Sequence, residues 1–233
     1  MAYIVSIETA TPVCSVALSI DNEIIGLKET DVKNSHAEVV TVFIDELLQE
    51  NKIKTSQITA VAVSKGPGSY TGLRIGVSTA KGLCYAFNIP MIAIGTLTSM
   101  AFGMAGKMAT DYDSSTLFCP MLDARRMEVY CSLYDYSNKE VLETSAKIID
   151  KNSFSDYLNQ GKIIFFGNGA AKCRNVLNHP NAFFVDDFNP SAKDLAGIAY
   201  SYFQNKQFEN VAYFEPFYLK DFIAGMPRVK GLK

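Results

Sequence analysis

The spacing of hydrophobic and polar positions changes several times along this chain, and each change predicts an element. Apolar residues dominate Tyr3 to Ile7 and Cys14 to Ile20, with Thr9 to Pro12 between them, the pattern of a strand and its hairpin partner. Asp21 and Asn22 turn the chain into a third strand over Glu23 to Lys28. A helical period then begins, with Ser35 and Glu38 as a capping box. Ala37, Val40, Ile44, Leu47 and Leu48 form one apolar stripe, and His36, Val39 and Phe43 form a second beside it, a wider arc than one sheet needs. Residues 58 to 64, ITAVAVS, read as a buried strand that Gly66, Pro67 and Gly68 stop. In the helix that follows, Leu73, Val77, Ala80, Leu83, Cys84 and Phe87 recur at three and four residues, while Gly72, Gly76 and Ala80 make a second line spaced by four. An interior helical glycine costs about 1 kcal/mol relative to alanine, so two on one stripe require something packed closely against them. A strand near Ile89 to Ile94 and a helix of about Leu97 to Met108 end the first half.

The same order then returns. Leu117 to Leu122 and Glu128 to Tyr134 make a hairpin, and Asp123 ends its first strand as Glu8 does in the first half. A third strand near Val141 to Ile149 follows, then a short helix over Ser153 to Gln160 and a strand over Lys162 to Phe166. Gly167, Asn168 and Gly169 match Gly66, Pro67 and Gly68; Ala170 to Leu177 reads as a helix, Ala182 to Val185 as a strand, and Ser191 to Gln207 as a longer helix. Corresponding points lie about 100 to 115 residues apart. This order predicts an α/β protein of two similar lobes, 1–108 and 109–207, followed by a tail, 208–233, that can pack back on the first lobe.

With 233 residues, 48% of them hydrophobic, the chain can bury a large core. A net charge of −2 argues against a strongly basic nucleic-acid binder, although residues 51 to 110 carry six Lys or Arg and no Asp or Glu, and the tail ends in Arg228, Lys230 and Lys233. The five cysteines are widely spaced without a CxxC pair and read as reduced core residues of a cytoplasmic protein. MAYIVSIETA has no basic start and Glu8 interrupts its apolar run, so no signal peptide is expected. The uncharged stretch Gly82 to Gly106 is long enough to span a membrane, but Asn88, Pro90, Thr96, Thr98 and Ser99 divide it into helix end, strand and new helix.

The glycine loop invites a phosphate reading, since it follows a strand and opens a helix. No lysine stands where a P-loop needs one, Thr71 replaces the third glycine of a dinucleotide fingerprint, and the next acid is Asp111. Actin-like and sugar-kinase folds bind ATP between their lobes with an acid at each hairpin and glycines that admit the phosphates. Glu8 and Asp123 are the two acids, which keeps an ATP-dependent kinase or ATPase as the alternative activity. The turns, however, read Thr9-Ala10-Thr11-Pro12 and Ala124-Arg125-Arg126-Met127, whose side chains would block the backbone from a nucleotide. Arg125 and Arg126 could still hold an anion. His36 and His179 lie in no metal-binding motif, and no base stands beside a Ser or Cys nucleophile.

At GPGSYTGLRIGVSTAKGLCYAFNIPMIAIGTL the chain resembles the TsaB (YeaZ) family, and the resemblance extends through IETATPVCSVALS, SHAEVV, LDARRMEVY and EPFYLKD. It implies a duplicated βββαβα fold of the actin-like, ribonuclease H-like superfamily. It further implies a subunit without catalysis of its own, required for N6-threonylcarbamoyladenosine at position 37 of ANN-decoding tRNAs. Its partners would be the paralogous transferase TsaD, as a heterodimer, and the ATPase TsaE in a larger complex, with a homodimer when alone. tRNA would be reached only indirectly or weakly, and neither a membrane, a cofactor nor a metal is expected. The metal-binding HxxxH of TsaD matches Thr96 and Met100 here, which cannot replace two imidazoles. By resemblance the first two helices form the partner interface, through His36, Val39, Val40, Phe43 and Leu47 on one. On the other it would use Gly72, Leu73, Gly76, Ala80 and Leu83. A vestigial nucleotide cleft would contain Glu8, Thr9, Asp123, Arg125, Gly167 and Gly169.

Overall fold

The computed structural model describes residues 1–32, 36–108 and 115–220. It contains two five-stranded mixed sheets with helices, an α/β architecture built twice over. In the first sheet β1 (Tyr3–Glu8), β2 (Cys14–Ile20) and β3 (Glu23–Thr30) form an antiparallel meander, and β4 (Ala60–Ser64) and β5 (Met91–Ile94) add in parallel on the other side of β1. In the second, β6 (Leu117–Asp123), β7 (Glu128–Tyr134) and β8 (Glu140–Ile148) repeat the meander, and β9 (Ile163–Phe166) and β10 (Ala182–Val185) repeat the parallel pair. The strand orders β3-β2-β1-β4-β5 and β8-β7-β6-β9-β10 therefore correspond position by position. Gly66 and Gly167, at matching points, take φ of +109° and +94°, a backbone conformation that side chains strain to adopt.

Period-two patterning decides which face each residue covers. Val5, Ile7, Val61 and Val63 point toward α1 (His36–Glu50) and α2 (Tyr70–Phe87), which lie side by side on one face of the first sheet. Ile4, Ala60, Ala62 and Ile92 point to the opposite face, against Leu195, Ile198 and Ala199 of α5 (Ala192–Gln204). In the second sheet, Phe118, Leu122, Ile164 and Phe166 pack on Leu97, Met100 and Met104 of α3 (Thr96–Lys107). The last helix of each sequence half thus packs on the sheet of the other half. The two helices meet where Gly103 lies against the Asp194 carboxyl group and Gly197 against the Phe102 ring.

Several expected elements are shorter. The helix expected over 170–177 is a 3-10 turn, Ala171–Cys173, because the short stretch between Gly169 and Asn178 gives too few hydrogen bonds to propagate. Cys173 and Leu177 still reach the second core. The helix expected over 153–160 shrinks to α4 (Ser155–Leu158), since the buried Phe154, at φ +62°, turns its ring onto Phe165 and fixes the start. The last helix ends at Gln204 rather than Gln207, with Lys206 at φ +54°. Ser35, the expected cap of α1, lies outside the described residues, as do Asp111, Arg228, Lys230 and Lys233. All five cysteines are buried and free, and no helix among the described residues is long and apolar enough to cross a membrane.

Residues 208–220 run back over the first sheet. Glu209 N–H donates to Met91 O at 2.9 Å, Val211 and Phe214 join the core under α1 and α2, and Lys81 Nζ donates to the carbonyls of Ala212 and Phe214 at 3.2 and 3.1 Å. Phe217 N–H then donates to Lys65 O at 2.7 Å, which carries the chain to the ends of β1 and β4.

Candidate functional site

The β1–β2 and β6–β7 turns border a cleft of about 620 Å³, whose walls include Thr11, Ser69, Tyr70, Asp123, Arg125 and Tyr218. Of the six residues expected there, Asp123 and Arg125 line it. Glu8 does not, because its side chain is sealed inside the sheet: Oε1 accepts from Ala10 N at 2.7 Å and Ser64 Oγ at 2.8 Å, and Oε2 has no partner among the described residues. Burial pushes its carboxyl up to about 7, against the lowering effect of those two bonds. Thr9 is also buried, with Oγ1 donating to Gly72 O at 2.8 Å. Gly167 and Gly169 sit behind the wall, where a Cβ would stand 2.6 Å from Met121 O and 2.8 Å from the Leu122 carbonyl carbon. These two glycines let β9 leave the sheet close to β6 rather than lining the cleft themselves.

Asp123 is half-exposed but engaged. Lys172 pairs with its carboxylate and donates to Glu128 O at 2.7 Å, while the Asp123 N–H donates to Asn168 Oδ1 at 2.9 Å. The following turn is strained. Arg125 and Arg126 have φ of 72° and 49°, and left-handed backbone costs an L-residue about 1–2 kcal/mol, whereas Asn-Gly would adopt it readily. Across the cleft the Tyr70 and Tyr218 rings lie 4.8 Å apart, and Lys220 pairs with Glu128, so residues 217–220 cross from α2 to β7. The sequence reading missed Lys172, Tyr70, Tyr218 and Lys220. Lys172, three residues beyond Gly169, could have been weighed as a partner for the acid at the preceding hairpin.

The residues expected at a partner interface divide into two groups. His36, Val40 and Leu47 are buried, together with Ile44 and Leu48, so this stripe faces the chain's own sheet, and Ala37 is exposed instead of lying on it. His36 Nε2 meets the Thr11 carbonyl at 2.8 Å. Gly72, Leu73, Gly76 and Ala80 are buried as well. A Cβ at Gly72 would stand 2.0 Å from Thr9 O, and one at Gly76 2.3 Å from Thr9 Oγ1. The close neighbour that the glycine line requires is the β1–β2 turn, not a second helix. What faces outward is the neighbouring ridge: Val39, Phe43 and Leu83 are half-buried, Val42 is 47% exposed, and a Cβ at Gly82 would meet nothing within 4 Å. Among the described residues, no three His, Cys, Asp or Glu side chains are placed to hold a metal ion.

A family model described as TsaD, tRNA N6-adenosine threonylcarbamoyltransferase, matches residues 16–232. The chain is 28% identical over 227 residues to the tRNA threonylcarbamoyladenosine biosynthesis protein TsaB of Escherichia coli K12, covering 95% of this chain and 96% of that protein. It is 33% identical over 135 residues to TsaB of Bacillus subtilis 168, covering 58% and 56%. Among solved structures, YeaZ from Pseudomonas aeruginosa superposes with a TM-score of 0.77 at 22% identity over 94% of this chain and all of that one, a likeness of fold.

Proposed function

This chain belongs to the TsaB (YeaZ) branch of the threonylcarbamoyladenosine family, and we propose from that premise that it acts in making N6-threonylcarbamoyladenosine in tRNA. In this reading it is a non-catalytic subunit that docks onto the paralogous transferase TsaD and, through that pair, onto the ATPase TsaE. The modified base is adenosine 37 of ANN-decoding tRNAs. The observation that carries the docking role is the outer side of α1 and α2, which presents Val42 and the half-buried Val39 and Phe43 on one helix and Gly82 and the half-buried Leu83 on the other. No atom of the described residues packs where a Cβ of Gly82 would stand, so no close contact among them offsets its helix cost. A backbone that must be approached closely from outside would supply the offset, and a second copy of the same shape can use the same face when TsaD is absent.

Three features support a subunit without its own phosphoryl chemistry. Lys172 occupies the Asp123 carboxylate that would face a bound metal, and Glu8 is closed off from the cleft. Thr96 and Met100, which the resemblance sets against two imidazoles of TsaD, are buried, with Met100 in the apolar core. The test is reconstitution: this chain with its host's TsaD and TsaE, assayed for modified adenosine with each protein omitted in turn. Product that persists without this chain overturns the reading. Turnover of Mg-ATP by this chain alone would instead favour a kinase or ATPase.

A further inference from the structure

The cleft described above has a composition that the docking role does not use. The acids in and beside it are neutralised within the chain, the lining Asp123 by Lys172 and the neighbouring Glu128 by Lys220, which also lines the cleft. The arginines of the turn at its edge are not: neither the guanidinium of Arg125, which lines the cleft, nor that of Arg126, the next residue, has an ion-pair or hydrogen-bond partner among the described residues. Both are held in left-handed backbone where Asn-Gly would be relaxed, so two cations are kept at a conformational cost in the turn that borders the cleft. Tyr70, Tyr130 and Tyr218 line the cleft together with Arg125, and Thr11, also in its lining, has a buried hydroxyl oxygen with no partner among the described residues. Unpaired guanidinium groups suit phosphates, and tyrosine rings that line a cleft suit the planar faces of bases.

We propose that the cleft mouth binds single-stranded RNA, with Arg125 and Arg126 on successive backbone phosphates and the Tyr70–Tyr218 pair as a platform for an unstacked base. A volume of about 620 Å³ admits one or two nucleotides and not a duplex. The choice of RNA over other polyanions rests on the role in tRNA modification proposed above. The arginine turn and the tyrosines argue only for phosphate and base.

The test uses the full chain and 5′-fluorescein-labelled decauridylate, followed by fluorescence anisotropy between 50 and 200 mM KCl. The wild-type chain is expected to bind saturably. Arg125→Asn with Arg126→Gly installs the residues this turn prefers, so its Tm should rise while its RNA affinity falls at least tenfold. Its plot of log K against log salt should flatten by about 1.4, two phosphates at about 0.7 each on a single strand. Tyr218→Ala should weaken binding about tenfold with the salt slope unchanged. The assignment is overturned by absence of saturable binding, or by a double variant that binds as the wild type does. It is also overturned if Mg-ATP or inorganic phosphate at matched phosphate concentration displaces the RNA, which would mark a small-anion site, or if labelled duplex DNA binds equally well. Docking to the partner is read from variants on the outer face of α1 and α2, so failure here removes the cleft assignment alone.

Discussion

Two glycines in one helix should respond oppositely to the same substitution. Gly76→Leu places a Cβ 2.3 Å from Thr9 Oγ1 and 3.5 Å from Val63 Cγ2, in a site closed on all sides. Overpacking of this kind costs about 1–3 kcal/mol, and displacement of Thr9 would also break its hydrogen bond to Gly72 O. At Gly82 the Cβ of a leucine meets nothing within 4 Å among the described residues, and leucine replaces a poor helix former with a good one, a gain of about 0.8 kcal/mol, or roughly 2–3 °C in Tm for a domain of this size. If a partner's backbone packs on Gly82, the same leucine should reduce affinity for TsaD at least tenfold, about 1.4 kcal/mol. Differential scanning fluorimetry gives the two stabilities, and titration against the host's TsaD gives the affinity. A Gly82→Leu chain that is more stable and still binds TsaD as the wild type does would refute the docking face. A Gly76→Leu chain of unchanged Tm would refute the close approach of the β1–β2 turn.

Other consequences are measurable on the isolated chain. The Glu8 carboxyl has a folded pKa of about 7 against an ordinary 4.5, so its contribution is fully present below 4.5 and is lost as pH rises through 7. The loss should reach about 3 kcal/mol, so wild-type Tm should fall between pH 5 and 8, and Glu8→Gln should flatten that dependence. Asp194, raised by burial to about 6, should leave a smaller residual slope of the same sign in that variant. Gly103→Ala puts a Cβ 2.3 Å from Asp194 Cγ at the α3–α5 crossing and should lower the urea midpoint by the equivalent of about 1–3 kcal/mol. His36→Leu should cost a similar ~1–3 kcal/mol by stranding the buried Thr11 carbonyl, with hydrogen exchange rising in the β1–β2 turn.

The strands and the repeat were legible because period-two patterning is local: Ile4 against Val5 and Ala62 against Val63 already assign both faces of the first sheet. The glycine line was legible as a requirement but not as to what meets it. Thr9 lies 63 residues before Gly72, and no local signal says that a hairpin turn rather than another helix fills that groove. His36 shows the same limit, since its partner is a backbone carbonyl, which carries no sequence signature. The cleft was half-legible. Asp123 and Arg125 stand where the repeat placed them, yet the lysine that neutralises the acid comes from a turn that reads as a helix, and a third wall comes from residues 217–220 at the far end of the chain.

The helix exchange bears on how these surfaces act together. Because α3 covers the second sheet and α5 the first, each half's inner face is completed only when the other half is in place. Each half buries one face of its sheet with its own residues but cannot cover the second face alone, which argues for one cooperative unit rather than two domains on a linker. The α3–α5 crossing is also close-packed, with the Asp194 carboxyl group against Gly103 and the Phe102 ring against Gly197. A partner seated on α1 and α2 therefore meets a sheet whose far face is fixed, through α5 and α3, to the sheet that carries Arg125. If the proposed docking face and the arginine turn are both used, this packing ties them together, so RNA at the cleft should keep one position relative to a partner on α1 and α2.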